Sequence, residues 1–170
     1  MTFPPRLLEA ARGIELVCFD VDGVLTDGRI IYTDDGHEIK AFHVQDGAAL
    51  KQLMAAGIHV ALLTGRSSPA VARRAAELGI HHVRQGLSDK GPALDEISRS
   101  LHLNVAQVAH VGDDLPDLPL FDQVGLAISV PNGHPEVRRR ADYVTETRGG
   151  DGVAREVVEL LLRARGTWPY

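Results

Sequence analysis

Short apolar runs alternate along the chain with stretches in which apolar residues recur every three or four positions. Runs of strand length lie at residues 14–19, 58–63, 83–84, 108–111, 125–128 and 143–144. Between them, sets such as Val71, Ala75 and Leu78 share one face of a helical period, and residues 153–164 form a last amphipathic helix. A strand followed by a helix, repeated in this way, favours right-handed βαβ units. The pattern therefore predicts an α/β fold in which helices sandwich a parallel sheet.

One segment, which follows the first predicted strand and its loop, departs from this alternation. Residues 29–33 and 37–43 have the composition of strands and flank Asp34-Asp35-Gly36, whose Asp-Gly pair is a common hairpin turn. We expect a β-hairpin here and call residues 28–43 the flap. No connection has room for a large second domain, and 170 residues fit one domain, so a single domain is predicted over residues 1–170.

Composition and charge narrow the class of partner. The chain holds 18 Lys and Arg against 23 Asp and Glu, a formal net charge of −5, and its main basic run, Arg138-Arg139-Arg140, is typical of a solvated helix end. This balance disfavours nucleic acid as a partner. The single cysteine, Cys18, excludes an intramolecular disulfide. No run approaches a membrane span and residues 1–13 do not resemble a signal peptide, so we expect a cytoplasmic protein with no membrane partner.

Polar residues follow four of the predicted strands, at the edge where open parallel sheets bind ligands. Asp20 and Asp22 come directly after the first strand, and two neighbouring carboxylates repel each other unless a cation compensates. An acidic turn is the alternative interpretation. Thr64 follows the next apolar run, and Ser68-Pro69 is typical of a helix start, where a hydroxyl and free backbone amides can hold a phosphate. Helix capping alone would also explain this second cluster.

The third and fourth clusters add a cation and more carboxylates. Lys90 lies in the first turn of a predicted helix, where its charge opposes the helix dipole. A bound anion would explain that position, and an exposed lysine is the alternative. Asp113, Asp114 and Asp117 follow the fourth strand, and carboxylate oxygens are ligands that Mg²⁺ prefers, although acidic residues also favour a helix start. The order Asp, Thr, Lys and Asp-Asp after four strands is far more specific than any one cluster.

With these motifs in this order, the chain resembles the haloacid dehalogenase superfamily of phosphotransferases along the whole domain. The resemblance implies the Rossmann-like sheet of that superfamily, here with a hairpin flap and no cap domain. Within the superfamily, the chain is most similar to the 3-deoxy-D-manno-octulosonate 8-phosphate phosphatases. They share the hairpin, the segment from Phe42 to Gly47 and the Gly149-Gly150 pair before the last helix. This similarity implies a Mg²⁺-dependent phosphomonoesterase that releases the free sugar acid and phosphate in lipopolysaccharide precursor synthesis.

The resemblance also implies a role for each motif residue. Asp20 would attack phosphorus to form an aspartyl-phosphate, and Asp22 would serve first as general acid and then as general base. Thr64 and Lys90 would hold the phosphoryl oxygens on which negative charge develops. Asp20, the backbone carbonyl of Asp22 and Asp113 would bind Mg²⁺.

The remaining implied residues surround the metal or the substrate. Asp117 and Asp114 would orient the site without binding the metal, and Asp114 would also touch the substrate. The implied substrate contacts are His43, Val44, Gln45, Asp46, Gly47, Lys51, Arg66, Arg74 and Asp114. A guanidinium at Arg66 and Arg74 would suit a sugar carboxylate, although Arg74 equally fits a surface position.

A phosphatase without a cap needs another way to exclude water from its phosphoenzyme. In the family that the chain resembles, a ring-shaped homotetramer does so, and each hairpin covers the site of a neighbour. Ile30, Ile31 and Tyr32 on the flap fit such an interface, and they fit equally well against the chain's own sheet.

Other functions stay open or are disfavoured by particular residues. His43 and Gln45 differ from the residues usual in this family, so a phosphatase for another sugar-acid phosphate, such as a nonulosonate 9-phosphate, is an alternative. A sugar-phosphate mutase is disfavoured because it usually needs a cap. In a two-component receiver domain the lysine comes last, whereas here Lys90 precedes Asp113. A non-catalytic oligomerisation module tends to lose the second aspartate of the first motif, and Asp22 is present.

Overall fold

The computed structural model describes residues 2–170. Its strands are β1 (Leu16–Phe19), β2 (Ile31–Tyr32), β3 (Glu38–Ile39), β4 (His59–Leu63), β5 (His82–Arg84), β6 (Val108–Gly112), β7 (Leu126–Ser129) and β8 (Tyr143–Val144). Its α-helices are α1 (Pro5–Arg12), α2 (Val44–Ala55), α3 (Pro69–Leu78), α4 (Gly91–Ser100), α5 (Leu118–Phe121), α6 (Pro135–Arg140) and α7 (Val153–Ala164).

Six of the strands form a parallel sheet in the order β5-β4-β1-β6-β7-β8. β1 lies in its interior, between β4 and β6, so that Cys18 is level with Ala61 on one side and His110 on the other. Every residue of β1 is fully buried, which explains why its sequence is apolar without alternation. The parallel order and the intervening helices confirm the predicted α/β fold.

Helices cover both faces of the sheet, as predicted. On one face α1, α2, α3 and α7 pack over Val17 and Phe19, and on the other face α4 and α5 pack over Leu16 and Cys18. Burial raises the pKa of Cys18 to about 12, so its thiol stays protonated and serves as a small apolar side chain. Among residues 2–170 there is no helix with the length and apolar character that crossing a membrane requires.

The flap is a two-stranded antiparallel ribbon between β1 and α2, formed by β2 and β3. Each of its strands has only two residues, so the predicted strands at 29–33 and 37–43 were too long. Ile31, Tyr32 and Ile39 are exposed, and an isolated two-stranded ribbon whose apolar residues are not packed against a core has little to extend its pairing. Within the part of the chain that the structure describes, no cap domain is inserted at this position or elsewhere.

Candidate active site

The residues predicted for catalysis and metal binding meet in one cavity at the carboxyl-terminal ends of β1, β4 and β6. The cavity has a volume of about 360 Å³. It is lined by Asp20, Asp22, Gly28, Thr64, Gly65, Arg66, Leu87, Ser88, Lys90, Asp113, Asp114, Pro116 and Asp117. Because parallel strands end at the same edge of the sheet, motifs that are far apart in sequence converge there.

The loop after β1 lies directly against the loop after β6. Asp20 follows the last residue of β1, and its backbone N–H donates to the carbonyl of Val111 at 2.9 Å. Gly23 has a φ of +95°, and a Cβ built there would lie 2.0 Å from Oδ2 of Asp113. Both the backbone conformation and the close approach therefore require glycine. The first and fourth motifs are thus packed together rather than merely near each other.

Lys90 is the cation at the centre of the site. Its Nζ lies 3.0 Å from Oδ1 of Asp20 and 2.6 Å from Oδ1 of Asp117, and only 5% of its side chain is exposed. Burial by itself lowers the pKa of Lys90, but the two carboxylates outweigh that effect, and the net pKa is raised. Burial raises the pKa of Asp20, and the charge of Lys90 offsets only part of this rise. A charged lysine therefore lies beside the predicted nucleophile.

Asp117 organises the hydrogen bonds around Lys90. Its Oδ1 accepts from Lys90 and from Nε2 of His110, which lies at 2.8 Å. Its Oδ2 accepts from the backbone N–H groups of Asp113 at 3.0 Å and Asp114 at 3.2 Å. Burial alone would raise the pKa of Asp117, but His110 and Lys90 outweigh it and hold the pKa well below its usual range. Both oxygens already receive donors, so this carboxylate is placed to orient the site rather than to bind a metal.

Asp113 has the burial and the unpaired oxygen expected of a carboxylate that binds a cation. Burial, followed by the charges of Asp20 and Asp117, raises the pKa of Asp113 to about 8. Its Oδ1 is buried and has no hydrogen-bond partner among the described residues. Carboxylate oxygens of Asp20, Asp113 and Asp117 all lie within 4.8 Å of one another. Because Asp117 is occupied by donors, Asp20 and Asp113 are the carboxylates that fit Mg²⁺, which prefers such oxygen ligands.

The flap docks on this site through charged residues that the sequence analysis did not single out. Nζ of Lys40 contacts Oδ1 of Asp22 and lies 2.8 Å from Oε1 of Glu38. Oε2 of Glu38 lies 2.6 Å from Nη2 of Arg66. Hydrogen bonds from Lys40 and Arg66 lower the pKa of Glu38 to about 2. The Glu-Ile-Lys alternation was the available signal, since alternate residues of a strand face the same side.

His110 was also missed, although it is fully buried in β6 and bonded to Asp117. The available signal was a polar residue in the middle of an apolar run, since a buried polar group requires a partner.

Thr64 and Ser68 occupy the loop between β4 and α3. Thr64 is 2% exposed, and its hydroxyl accepts from the backbone N–H of Arg66 at 3.3 Å. Ser68 lies at the N-cap position with Pro69 next, as the sequence indicated, but its hydroxyl makes no capping hydrogen bond. The oxygen is buried without a partner in the described part of the chain. Helix capping by the hydroxyl of Ser68, the alternative interpretation of this cluster, is therefore wrong.

Most of the predicted substrate contacts lie outside the catalytic cavity of the same chain. Arg66 and Asp114 line that cavity. His43, Asp46, Gly47 and Arg74 instead line a second, smaller cavity, which side chains of α2 and α3 border. Val44, Gln45 and Lys51 are exposed on α2.

The Asp46-Gly47 pair joins three helices. Asp46 is 4% exposed, and its Oδ1 accepts from the backbone N–H of Arg155 at 2.9 Å, so it caps the first turn of α7 from another helix. A Cβ at Gly47 would lie 2.2 Å from Nη2 of Arg74, so glycine allows the guanidinium of α3 to lie against α2. This pair therefore has a structural role within the chain, whatever else it contacts.

Comparisons with known sequences point to one group of phosphatases. Residues 82–157 match the family of haloacid dehalogenase-like hydrolases. The chain is 44% identical over 162 residues to the 3-deoxy-D-manno-octulosonate 8-phosphate phosphatase KdsC of Salmonella typhimurium, covering 95% of this chain and 86% of that protein. It is 43% identical over 159 residues to the protein of the same name from Yersinia pestis, covering 94% and 85%.

Solved structures give the same result. The 3-deoxy-D-manno-octulosonate 8-phosphate phosphatase of Yersinia pestis superimposes with a TM-score of 0.94 at 42% identity, covering 96% of this chain and 88% of that one. The enzyme of that name from Moraxella catarrhalis, crystallised in complex with a magnesium ion, a phosphate ion and a KDO molecule, superimposes with a TM-score of 0.93 at 47% identity. That match covers 96% of this chain and 94% of the other.

Proposed function

Since this chain belongs to the haloacid dehalogenase-like hydrolases, and within them to the family of 3-deoxy-D-manno-octulosonate 8-phosphate phosphatases, we propose that it hydrolyses 3-deoxy-D-manno-octulosonate 8-phosphate. The products are the free sugar acid and phosphate, and the reaction belongs to lipopolysaccharide precursor synthesis. The observation that carries this proposal is the sequence likeness, 44% identity over 95% of this chain and 86% of the relative, in a protein whose four motifs line one cavity.

The first step is assigned to Asp20. Its carboxylate would attack phosphorus to form an aspartyl-phosphate as the bond from phosphorus to the sugar oxygen breaks. Lys90, which lies 3.0 Å from Oδ1 of Asp20, and Thr64 would hold the phosphoryl oxygens on which charge develops. Bound by Asp20, Asp113 and the backbone carbonyl of Asp22, Mg²⁺ would offset the negative charge that nucleophile and phosphate bring together.

Proton transfer is assigned to Asp22, which lines the same cavity. Its carboxyl group would donate a proton to the departing sugar oxygen and would then accept one from the water that hydrolyses the aspartyl-phosphate. Asp117 would take no part in bond making. Its contacts with Lys90 and with the backbone of Asp113 and Asp114 suit it to fix the position of Lys90 relative to Asp113.

Substrate recognition is assigned in two parts. Arg66 and Asp114 line the catalytic cavity and would contact the sugar acid bound there. The other predicted contacts lie outside it: His43 just before α2, Gln45 and Lys51 on α2, and Arg74 on α3. We propose that they serve the site of a neighbouring subunit in a homotetramer. Four exposed apolar side chains of the flap, Ile30, Ile31, Tyr32 and Ile39, support an interface there.

A phosphate-release screen tests the substrate. It compares octulosonate 8-phosphate with nonulosonate 9-phosphates and hexose 6-phosphates, with Mg²⁺ and after EDTA, and includes Asp20→Asn. We expect the highest kcat/KM for octulosonate 8-phosphate and loss of activity both in EDTA and in Asp20→Asn. If a nonulosonate phosphate is preferred, the substrate assignment is wrong and the phosphatase assignment stands. Full activity in EDTA or in Asp20→Asn would contradict the mechanism.

The assembly has its own test. We expect light scattering to give the mass of a tetramer for the wild-type protein. Mixing Asp20→Asn subunits, which lack the nucleophile, with Arg74→Ala subunits should restore activity if Arg74 serves a neighbour. A monomeric protein with full activity, or a mixture with no restored activity, would contradict the shared site.

A further inference from the structure

Lys40 reaches from the flap into the catalytic site of its own chain. Its side chain is only 2% exposed, and its Nζ contacts Oδ1 of Asp22. It adjoins the end of β3, in which Glu38 and Ile39 face opposite sides. Ile39 is exposed, whereas the carboxylate of Glu38 lies 2.8 Å from the Lys40 ammonium. The side of the flap that carries Glu38 therefore faces the site, and the side that carries Ile39 faces away.

The two oxygens of Asp22 are in different situations. Oδ1 is paired with Lys40, whereas Oδ2 is buried and has no hydrogen-bond partner among the described residues. The terminal torsion of an aspartate is broad, so a carboxylate with no fixed partner can present either oxygen over a range of angles. Contact of one oxygen with a buried ammonium removes that freedom. Asp22 lines the catalytic cavity, so a bound substrate could supply the hydrogen-bond partner that Oδ2 lacks.

Lys40 is itself held in place. Oε1 of Glu38 lies 2.8 Å from its Nζ, and Oε2 of Glu38 lies 2.6 Å from Nη2 of Arg66, in the loop after β4. The charges alternate along the row from Asp22 through Lys40 and Glu38 to Arg66, so no member faces an unpaired charge of its own sign. Glu38 offsets part of the positive charge of Lys40. Asp22 is therefore oriented by a cation whose charge is already partly compensated.

We propose that Lys40 is a positioning residue that holds Oδ1 of Asp22 so that Oδ2 faces the reacting oxygen. Oδ2 donates its proton to the departing sugar oxygen, as the bond from phosphorus to that oxygen breaks, and then takes a proton from the hydrolytic water. The proposal rests on the proposed function, in which Asp22 is the acid and the base. Because Lys40 lies on the flap, correct orientation of Asp22 requires the flap to be docked on its own chain.

The test compares two leaving groups in Lys40→Met, with saturating Mg²⁺. A sugar oxygen needs a proton as it leaves, whereas the nitrophenolate of p-nitrophenyl phosphate leaves without one. We expect kcat for the sugar-acid phosphate to fall roughly 10- to 100-fold, a part of the usual effect of acid–base catalysis, while KM changes little. With p-nitrophenyl phosphate, stopped-flow absorbance should show a burst of nitrophenolate followed by slow turnover, because only the water step then needs Asp22.

Matched variants separate orientation from other effects. Asp22→Asn should show the same burst, Lys40→Arg should recover much of the rate, and Glu38→Gln, which removes one support of Lys40, should lower kcat several-fold. His37→Ala changes an exposed residue of the same flap and should leave kcat unchanged with both substrates. Thermal unfolding confirms that each variant is folded, and Lys40→Arg with Glu38→Gln decides the question if Lys40→Met does not fold.

Three results would overturn the inference or its premise. Equal losses on both substrates without a burst would mean that Lys40 only anchors the flap. Full activity in Lys40→Met, with Asp22→Asn impaired, would overturn the role of Lys40 and leave the proposed function intact. Full activity in Asp22→Asn would instead overturn the proposed role of Asp22 itself.

Discussion

Gly23, in the loop after β1, lies directly against the carboxylate of Asp113 that is proposed to bind Mg²⁺. Its φ is +95°, and a Cβ would lie 2.0 Å from Oδ2 and 2.6 Å from Cγ of Asp113. In Gly23→Ala the carboxylate must retreat by about 1.4 Å before the contact becomes an ordinary one of 3.4 Å. The substitution therefore acts on the metal site through one methyl group, without changing any proposed ligand.

The cost of Gly23→Ala has two parts. An alanine with positive φ is strained by roughly 1–2 kcal/mol, which lowers the free energy of unfolding. The retreat of Asp113 is several times the roughly 0.2 Å by which metal–ligand distances vary, so this carboxylate can no longer coordinate the ion. Disturbing even an indirect partner of a ligand typically costs about 10- to 100-fold in metal affinity. We expect at least that loss here, with a parallel fall in activity at limiting Mg²⁺.

Gly36→Ala is the matched control for this prediction. Gly36 lies at the turn of the flap with a φ of +86°, and a Cβ there would meet no atom within 4 Å. It carries the same kind of backbone strain without touching the metal site. Isothermal titration with Mg²⁺ and thermal unfolding, measured on both variants, separate the two parts. Equal Mg²⁺ affinity in folded Gly23→Ala and Gly36→Ala would refute the assignment of Asp113 as a ligand.

Two further predictions concern residues that the sequence analysis missed. His110→Leu fills the buried space but removes the donor to Asp117. We therefore expect urea unfolding to show a loss of about 1–3 kcal/mol. We also expect a several-fold lower kcat, because Asp117, the partner of Lys90, loses one of its four donors. Unchanged stability and kcat would contradict this role. For Glu38, the pKa of about 2 in the folded chain lies below the unfolded value near 4.5, so the unfolded state binds more protons as the pH falls. The stability from its two cationic partners is present above about pH 4.5 and is lost toward about pH 2. Between about pH 5 and pH 3 the wild-type protein should thus lose more unfolding free energy than Glu38→Gln, and equal pH slopes would argue against the docked flap.

The sequence was sufficient to predict the catalytic cavity because its geometry follows from topology. In a parallel sheet, every residue that directly follows a strand lies at the same edge, so Asp20, Thr64 and Asp113 had to converge once their strands were recognised. Lys90 completes the same cavity from the start of α4. The roles of these residues stay predictions until they are measured, but their proximity is an observation of the structure.

The sequence was not sufficient for the contacts that orient those residues. Asp46 caps α7 through Arg155, which is 109 positions away, and no local pattern indicates such a pairing. Ser68 has the sequence of a helix cap, and its hydroxyl nevertheless makes no capping bond. Propensity describes what a side chain can do near its own backbone, and tertiary packing decides which of several partners it meets.

The sequence by itself determined the fold class and which residues meet in the catalytic cavity, since both depend on periodicity and on the order of motifs at strand ends. Only the tertiary structure decided which partners each carboxylate has. The carboxylate of Asp117 accepts hydrogen bonds from four donors. Asp113 has a buried oxygen without a partner among the described residues, and Oδ1 of Asp22 contacts Lys40. The physical reason is that hydrogen bonding and burial depend on side-chain direction and on distant neighbours, which a one-dimensional pattern does not contain.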